Sequence, residues 1–541
     1  MFRWLALIVV HIAASQAGQA VDVSGEVMKP DQTYGKQARL RLAGDTTFGW
    51  KTATFTGDLD LNSHTLTMET GGGNRTVFTG AIAGSGRIVW NGGGSPHMQT
   101  APSFLGGTAA NTFRGTLTVS RGLLALAKPP SVQAIAGDIV LGGGSNQAIL
   151  RLDASHQIED STSLTLVGPH EGRLWTQGHS ETLGPLLVRT HGTIDLGEGE
   201  CTLTFADSRS QKWDLSKTVT IRQWTRGKDK VAFGSGGPGL TAEQAARVGF
   251  DNPSDRPAGL YRAKLLDDGQ LVPDAKVAPV DPPFDMSDQA RRQREAVFRI
   301  SGRSELSGPN TPLKDGMTIS FFGDSITWQN GYIEAIAQAL RTGEGTRNMK
   351  IRLVNRGING GGVLSVRDGV DKAAYVDARN QNGPQDPFAR VIAADKADLA
   401  VVFIGVNDVW WRKTSAEDFE RALHGLASAA KANRTRLVLC TLTVYRELPT
   451  GANPKDAGCD AFAELTRKAA RETGATLVDL RKAYLAYLRN HNVELRVDGS
   501  LAFRDMGVLT YDGVHPTQAG VELLADHIAA GIGRALRPAA P

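Results

Sequence analysis

The spacing of apolar residues changes along this 541-residue chain, and that change restricts its fold more than any other feature. Residues 21–272 alternate apolar and polar side chains over short stretches, whereas residues 316–541 alternate short apolar runs with segments of helical spacing. Between them, residues 273–315 are charged and contain six prolines, as linkers between domains often do. We therefore predict a β-rich domain at 21–272, a linker at 273–315 and a second domain at 316–541.

The first of these domains is predicted to consist of many short strands. Residues 57–61, 65–68, 115–119 and 163–167 alternate with a period of two, which places one face of a strand in a core and the other in water. Glycine-rich breaks separate these stretches. Short strands at fairly regular spacing are typical of a β-sandwich, a barrel or a β-solenoid.

Two segments of this region favour one of these three folds. Residues 83–90 (AGSGRIVW) and 111–119 (NTFRGTLTV) resemble the passenger-associated repeats of bacterial surface β-helices, in which a glycine turn precedes an N-T-[YF]-x-G rung. The resemblance favours a right-handed β-solenoid for this all-β domain, with a β-sandwich as the alternative.

The sequence of the second domain predicts an α/β fold. Residues 317–322, 398–404 and 436–442 are nearly continuous apolar runs, and residues 332–340 and 416–432 have helical apolar spacing. Strands buried on both faces and alternating with helices predict a three-layer parallel sheet. Ligands of such sheets bind beyond the carboxyl ends of the strands, so functional residues are expected there.

The N-terminus predicts export. Arg3 precedes an apolar run at residues 5–14, and small residues follow at 17, 18 and 20, as in a secretory signal peptide spanning residues 1–20. The apolar run is too short to span a bilayer, and no later segment resembles a spanning helix. We expect a protein that is secreted or held in the cell envelope, at the periplasm or the cell surface.

Charge and cysteine content exclude several classes of partner. The chain has 60 basic and 56 acidic residues and no basic block, so no nucleic-acid partner is expected. Three cysteines, Cys201, Cys440 and Cys459, cannot form a framework that pairs every cysteine. Cys440 lies in an apolar run and is expected in the core, and a bridge from Cys440 to Cys459 is left open. No Cys/His cluster has the spacing of metal ligands, so no metal site is predicted.

Four polar blocks follow predicted strands or precede the last helix of the second domain. The first places Ser325 at the start of a helix, where it can be a nucleophile with an outward backbone N–H, or simply an N-cap. A glycine run after residue 354 exposes backbone N–H groups, and Asn407 puts a side-chain amide at the edge of the sheet. Asp512 and His515 are spaced so that the carboxylate can hold Nδ1 and leave Nε2 free to accept a proton. Taken singly, each block also fits an ordinary turn or loop.

Together and in this order, the blocks resemble the SGNH/GDSL hydrolase family, whose motifs are G-D-S, an internal glycine, G-x-N-D and D-x-x-H. The resemblance covers residues 316–536 and implies a flavodoxin-like three-layer fold that hydrolyses carboxylic esters. It implies that Ser325 attacks the ester carbonyl, that His515 transfers the proton and that Asp512 holds the imidazole tautomer.

The resemblance also implies an oxyanion hole made of the Ser325 and Gly360 N–H groups and the Asn407 side-chain amide. Gly357 and Gly361 are alternatives to Gly360. No metal or organic cofactor is needed for such a reaction.

Further residues of the second domain are expected to support the site or to contact the substrate. Asp324 and Asp408 are expected to brace the site by hydrogen bonds. Trp410 and Trp411 directly follow the third block, and Tyr445 is expected to end the next strand, so these rings are candidate contacts for a sugar ring.

The family resemblance does not fix the substrate, since one fold serves many esters. The leading hypothesis is an O-acetyl esterase that acts on polysaccharide or oligosaccharide esters. The alternatives are a short-chain lipid or general carboxylesterase, and a surface glycan-binding or adhesin protein with an accessory hydrolase domain. The sequence leaves the oligomeric state open.

Overall fold

A computed structural model describes residues 20–27, 33–34, 39–49, 53–70, 75–92, 103–144, 147–280, 301–370, 386–449 and 452–537. Residues 1–19 of the predicted signal peptide and residues 281–300 of the predicted linker lie outside these ranges. The chain divides into two compact units, one made of Met1–Asp281 and Leu495–Leu501 and the other of Pro282–Glu494 and Ala502–Pro541.

The first unit is β-rich, as predicted. Apart from the one-turn helix Ala242–Ala245, the regular elements among its described residues are strands. They are Ala20–Val27, Thr33–Tyr34, Arg39–Gly49, Ala53–Phe55, Leu59–Asp60, Thr65–Glu69, Thr76–Phe78, Ile82–Ala83, Arg87–Asn91, Ser103–Gly106, Leu117–Ala127, Ile139–Gly142, Ala148–Leu152, Leu164–Val167, Gly172–Trp175, Glu181–Leu183, Leu186–Val188, Gly192–Asp195, Thr202–Phe205, Val219–Arg222, Lys230–Phe233, Val248–Asp251, Leu260–Leu265 and Gln270–Lys276.

Most of these strands pair in parallel with a strand that comes later in the chain. Leu117 is in register with Ile88 on one side and with Ile139 on the other. Leu150 is likewise in register with Leu124 and with Leu174. Because equivalent apolar positions stack on one another, their side chains form one buried core along this unit. The strand Gln270–Lys276 pairs antiparallel with Lys230–Phe233 and with Leu260–Leu265, which itself pairs antiparallel with Val248–Asp251.

The second unit contains a five-stranded parallel sheet. Its strands, in spatial order, are Arg352–Gly357, Thr318–Gly323, Leu399–Phe403, Arg436–Cys440 and Thr476–Val478. In chain order this is 2-1-3-4-5, the flavodoxin-like arrangement, whose ligand crevice lies where the first and third strands meet. The registers align Gly323 with Gly357 on one side and with Phe403 on the other, so these three strands end at one edge.

Helices cover both faces of this sheet. They are Gly302–Ser307, Ser325–Trp328, Gly331–Thr342, Val363–Asp368, Phe388–Asp395, the π-helical turn Asp408–Arg412, Ala416–Ala432, Asp456–Thr473, Leu480–His491 and Gln518–Leu536. Val401 and Phe403 pack into the core on one face, and Ala400 and Val402 into the core on the other. Alternate residues of one strand thus enter different cores, which explains why these runs are continuously apolar. The strands Val493–Leu495 and Leu501–Phe503 form a separate two-stranded sheet.

Part of the segment predicted as a linker is structured. The strand Gln270–Lys276 runs into its beginning, and the helix Gly302–Ser307 packs on Gln518–Leu536 near its end. An ion pair of 2.8 Å from Arg303 Nε to Asp526 Oδ1 joins these two helices.

All three cysteines are buried and free, so the bridge between Cys440 and Cys459 is not formed. Cys440 ends a sheet strand and Cys459 lies in the helix Asp456–Thr473. Over the residues that the structure describes, no helix has the length and apolar character that crossing a membrane requires.

Candidate active site

Ser325 begins the short helix that follows the strand Thr318–Gly323. Asp324 caps this helix, and its carboxylate accepts a hydrogen bond of 2.9 Å from the Ile326 N–H group. The capping role that the sequence allowed for Ser325 is therefore filled by its neighbour. The Ser325 hydroxyl is left for other contacts, on a residue that is 7% exposed.

The hydroxyl of Ser325 contacts the imidazole of His515. Ser325 Oγ lies 2.8 Å from His515 Nε2, and His515 Nδ1 lies 2.6 Å from Asp512 Oδ2. The other carboxylate oxygen, Oδ1, accepts the backbone N–H groups of His515 at 2.8 Å and Val514 at 3.0 Å. The backbone thus fixes which oxygen faces the ring, and Nε2 is free to take the serine proton.

The charges around this imidazole favour its protonated form. Burial acts to lower the pKa of His515, but the hydrogen bond and negative charge of Asp512, with a smaller effect of Asp324, raise it above the ordinary value. Burial acts to raise the pKa of Asp512, but its bonds with His515 outweigh burial and bring that pKa below the ordinary value. The pair is a carboxylate of lowered pKa beside an imidazole of raised pKa, which suits a general base.

Two backbone N–H groups of the candidate site are available as hydrogen-bond donors. Within the described part of the chain, the N–H groups of Ser325 and Gly360 have no hydrogen-bond acceptor. The N–H groups of the two alternatives are engaged: that of Gly357 donates to Asn355 Oδ1 and that of Gly361 to Ile358 O, each at 2.8 Å. Gly360 also has a φ of 68°, in the left-handed region that favours glycine. Of the three glycines, Gly360 is therefore the one suited to bind an oxyanion.

The side-chain amide of Asn407 is held at both ends. Its Nδ2 donates to Gly361 O at 2.9 Å, and its Oδ1 accepts from Trp411 Nε1 at 3.0 Å. The amide nitrogen carries two hydrogens, so one remains for a ligand. Asn407 directly precedes the π-helical turn Asp408–Arg412, a rare conformation that is frequent at functional sites.

Asp324 and Asp408 are both 1% exposed and support the loops around the serine. Burial raises the pKa of Asp324 to about 7. Asp408 accepts the Val363 N–H group at 3.1 Å on each oxygen and the Thr414 hydroxyl at 2.6 Å. Burial also raises the pKa of Asp408. These bonds tie the glycine loop to the turn that follows the third strand.

Three aromatic residues lie around the same turn. Trp410 and Trp411 are 43% and 51% exposed, and the ring of Tyr445 lies 5.6 Å from that of Trp410. Tyr445 is five residues beyond the end of the strand Arg436–Cys440, so the expectation that it ends that strand is wrong. Beyond Cys440 the Thr441 N–H group still donates to Val478 O at 3.0 Å, and Leu442 and Val444 are then buried in the two cores.

Glu447 supports the segment that leads to Asp512, and no sequence pattern marked it. Its carboxylate accepts the backbone N–H groups of Val508 at 2.9 Å and Leu509 at 2.6 Å, and the N–H and hydroxyl groups of Thr510. Glu447 is 1% exposed, and burial raises its pKa. A single acid therefore satisfies four donors directly before the loop that carries Asp512 and His515.

Tyr511 is a second contact that the sequence did not indicate. Its ring stacks on the imidazole of His515 with the centroids 5.7 Å apart, and its hydroxyl accepts a bond of 3.0 Å from Gln329 Nε2. The imidazole is thus held by packing as well as by Asp512.

One group of side chains on the helices Ala416–Ala432 and Asp456–Thr473 has the spacing of metal ligands. The group consists of Glu420, His424 and Glu472. Lys468 Nζ already lies 2.6 Å from Glu420 and His424 Nε2 lies 3.1 Å from Glu472, so the acids are paired with local bases. This group shares no residue with the serine site.

The second unit is a parallel sheet with helices on both faces. Residues 321–523 match the family model described as GDSL-like lipase/acylhydrolase. The chain carries a domain of this GDSL family, a family of carboxylic ester hydrolases, and the predicted family and enzyme class are confirmed.

Several solved structures are similar to this domain. The acetyl xylan esterase AlAXEase is 26% identical, with 40% of this chain and 100% of that chain covered and a TM-score of 0.32. Axe2, an acetylxylan esterase from Geobacillus stearothermophilus, is 22% identical, with 42% and 100% covered and a TM-score of 0.31.

A further relative is the adhesin BmaC autotransporter of Brucella suis biovar 1 (strain 1330). It is 27% identical to this chain over 175 residues, which make up 30% of this chain and 5% of that protein. The match thus spans a small fraction of this relative's length.

Proposed function

We propose that the chain is an exported serine esterase that removes O-acetyl groups from carbohydrates, with Ser325, His515 and Asp512 as its catalytic triad. The observation that carries the proposal is the continuous hydrogen-bonded chain from Ser325 Oγ to His515 Nε2 at 2.8 Å and from Nδ1 to Asp512 at 2.6 Å. Both distances lie within the reach needed for proton transfer.

The proposed reaction follows the usual two steps of a serine hydrolase. Ser325 Oγ attacks the ester carbonyl while His515 Nε2 takes the hydroxyl proton, and the sugar alcohol leaves with that proton. Water then attacks the acetyl-serine with the same base, and acetate leaves. The Ser325 and Gly360 N–H groups and the Asn407 amide would bind the carbonyl oxygen as it becomes negative, each contributing about 3–4 kcal/mol to lowering the barrier.

The exposed aromatic side chains beside the site support a carbohydrate substrate. Trp410 and Trp411 lie three and four residues after Asn407 and rank among the most exposed large apolar side chains of the described residues. Trp410 also pairs with Tyr445, which gives a broad apolar rim. Aromatic faces of this kind suit the C–H faces of sugar rings, and a small acetyl group would leave the rim free for the sugar.

A substrate panel tests this proposal. Acetate release from acetylated xylan and acetylated oligosaccharides is compared with hydrolysis of short-chain aryl esters and of long-chain acyl esters, for wild type and Ser325→Ala. The expected result is preferred turnover of the acetylated saccharides, abolished by Ser325→Ala. Preference for acyl esters without a sugar would instead support a general or lipid esterase. Equal turnover by Ser325→Ala would refute the assignment of Ser325 as the nucleophile.

We also propose that the β-rich region is a right-handed β-solenoid. One support is the repeated parallel register, in which Leu117 is aligned with Ile88 of one neighbouring strand and with Ile139 of the other. A second is that connections between parallel strands of one sheet are nearly always right-handed. Such a region can present the esterase at a cell surface or bind glycans itself. Binding of immobilised glycans by Ser325→Ala protein that also carries Trp410→Ala, and so lacks the proposed sugar contact of the esterase site, would support the second role. No retention would leave the region as a scaffold.

Export is the remaining part of the proposal. The predicted signal peptide at residues 1–20 would be removed, so the exported protein would begin after one of the small residues near position 20. Determination of the N-terminus of the mature protein, and of the compartment that contains it, tests this directly.

A further inference from the structure

The π-helical turn Asp408–Arg412 holds two of the three proposed oxyanion donors through two successive side chains. Trp411 Nε1 donates to Asn407 Oδ1 at 3.0 Å. Arg412 Nε donates to Gly360 O at 2.8 Å. The guanidinium of Arg412 also lies over the indole of Trp411, 4.6 Å from its centroid, so the two side chains support each other.

We propose that Trp411 and Arg412 are positioning residues of the oxyanion hole. Trp411 would select the orientation of the Asn407 amide, and Arg412 would hold the Gly360–Gly361 peptide, next to the peptide that carries the Gly360 N–H group. The proposal rests on the proposed function, because it assigns a role to these side chains only if Asn407 and Gly360 bind the oxyanion.

The case for Trp411 follows from the two ends of the Asn407 amide. In the observed orientation, Oδ1 faces the indole N–H and Nδ2 faces the Gly361 carbonyl. A flipped amide would set Nδ2 against the indole N–H and Oδ1 against that carbonyl, so both bonds would be lost. The indole therefore holds Nδ2, with its second hydrogen, on the side where the oxyanion would form.

The case for Arg412 follows from the backbone of Gly360. Gly360 has a φ of 68° and no side chain to restrict its backbone, so without further contacts its N–H group would be a mobile donor. The bond from Arg412 to Gly360 O holds one side of that residue. The ring of Trp411 holds the other, since a Cβ at Gly360 would lie 3.3 Å from Trp411 Cζ2.

These contacts separate the roles of the two tryptophans. One face of Trp411 is covered by Arg412 and its N–H group is used within the protein. Trp410 pairs with Tyr445 and is the better candidate for a sugar contact. Trp411 should therefore act on kcat and Trp410 on KM for a saccharide ester.

The experiment is a double-mutant cycle between Trp411→Phe and Asn407→Ala, measured by steady-state hydrolysis of an aryl acetate. Trp411→Phe keeps the ring and removes the N–H group. It should lower kcat about 3- to 10-fold with KM within about twofold, the range for loss of one hydrogen bond. In the Asn407→Ala background it should have no further effect, because its action passes through the amide.

Arg412→Met tests the second contact, and Arg421→Met is its matched control. Arg421 lies on the helix Ala416–Ala432 and pairs only at the surface, with Glu417 and Asp418. Arg412→Met should lower kcat several-fold and weaken a boronic acid that forms a tetrahedral adduct with Ser325 by the same factor, and Arg421→Met should change neither.

Additive effects of Trp411→Phe and Asn407→Ala, or an effect of Trp411→Phe on KM alone, would overturn the role of Trp411. Equal effects of Arg412→Met and Arg421→Met would overturn the role of Arg412. Neither outcome would affect the proposed esterase, which is tested separately by the activity of Ser325→Ala and by covalent labelling of the serine. Thermal unfolding of each variant identifies any loss that comes from misfolding.

Discussion

Replacement of Asp512 by asparagine should reverse the tautomer of His515. Asp512 Oδ1 accepts two backbone N–H groups, at 2.8 Å and 3.0 Å, so an asparagine there would turn its carbonyl oxygen toward the backbone. Its NH₂ group would then face His515 Nδ1, now 2.6 Å from Asp512 Oδ2. Nδ1 would have to accept, the proton would move to Nε2, and the nitrogen beside Ser325 could no longer take the hydroxyl proton.

The expected magnitude is a fall in kcat of about 10⁴-fold, as for the same change in other serine triads. This factor corresponds to about 5.4 kcal/mol of barrier at 25 °C. The assay is steady-state hydrolysis of an aryl acetate, with wild type, Asp512→Asn and Asp368→Asn compared. Asp368 is an exposed aspartate that pairs with its neighbour Arg367, so its replacement removes the same charge without touching the imidazole.

Retention of more than about a tenth of wild-type kcat by a folded Asp512→Asn protein would refute the tautomer argument. A similar loss in Asp368→Asn would attribute the effect to charge rather than to the hydrogen bond. Titration of His515 by NMR gives an independent readout, because loss of the carboxylate should lower the pKa of the imidazole.

Three further predictions follow from the same site. Asn407→Ala should lower kcat on the order of 10²–10³-fold with little change in KM, measured by steady-state kinetics, because one oxyanion donor is lost. The pH profile of kcat/KM should fall on the acid side with a midpoint above the ordinary pKa of 6.5, because the base must be neutral and Asp512 raises the pKa of His515. Glu447→Ala leaves four donors without their acceptor, including the N–H groups of Leu509 and Thr510, and should destabilise the domain by on the order of 3 kcal/mol, measured as a lower urea midpoint of activity. An acid-side midpoint at or below 6.5, full activity of Asn407→Ala or an unchanged urea midpoint would contradict the respective prediction.

The sheet of the second domain could be predicted because its strands carry a strong signal. Residues that enter cores on both faces must be apolar throughout, as in Leu399–Phe403. The helix Ala416–Ala432 was predicted within its observed bounds, since Ser415 caps it and Glu417 and Asp418 suit its first turn. Features of the local sequence were therefore sufficient to predict these elements.

The site could be predicted as residue types but not as contacts. The order of the polar blocks identified Ser325, Asn407 and His515, because each follows or precedes an element of a parallel sheet. The choice among the glycines required the structure, since only there are the N–H groups of Gly357 and Gly361 seen to be engaged.

Other contacts depend on residues far apart in the chain. Glu447 bonds residues about 60 positions later, and nothing near it in sequence indicates that it is buried. The π-helical turn Asp408–Arg412 likewise depends on contacts with the glycine loop, about 50 residues earlier. Long-range contacts of this kind leave no periodic pattern, which is why the sequence did not reveal them.

The central claim is that the hydroxyl of Ser325 is the nucleophile, and covalent labelling tests it most directly. Wild-type protein is treated with an organophosphorus ester, and the modified peptide is identified by mass spectrometry. The account predicts one adduct on Ser325, loss of activity in proportion to labelling, and no adduct on this peptide in His515→Ala at the same exposure. Stoichiometric inactivation with the label on any other serine would contradict it.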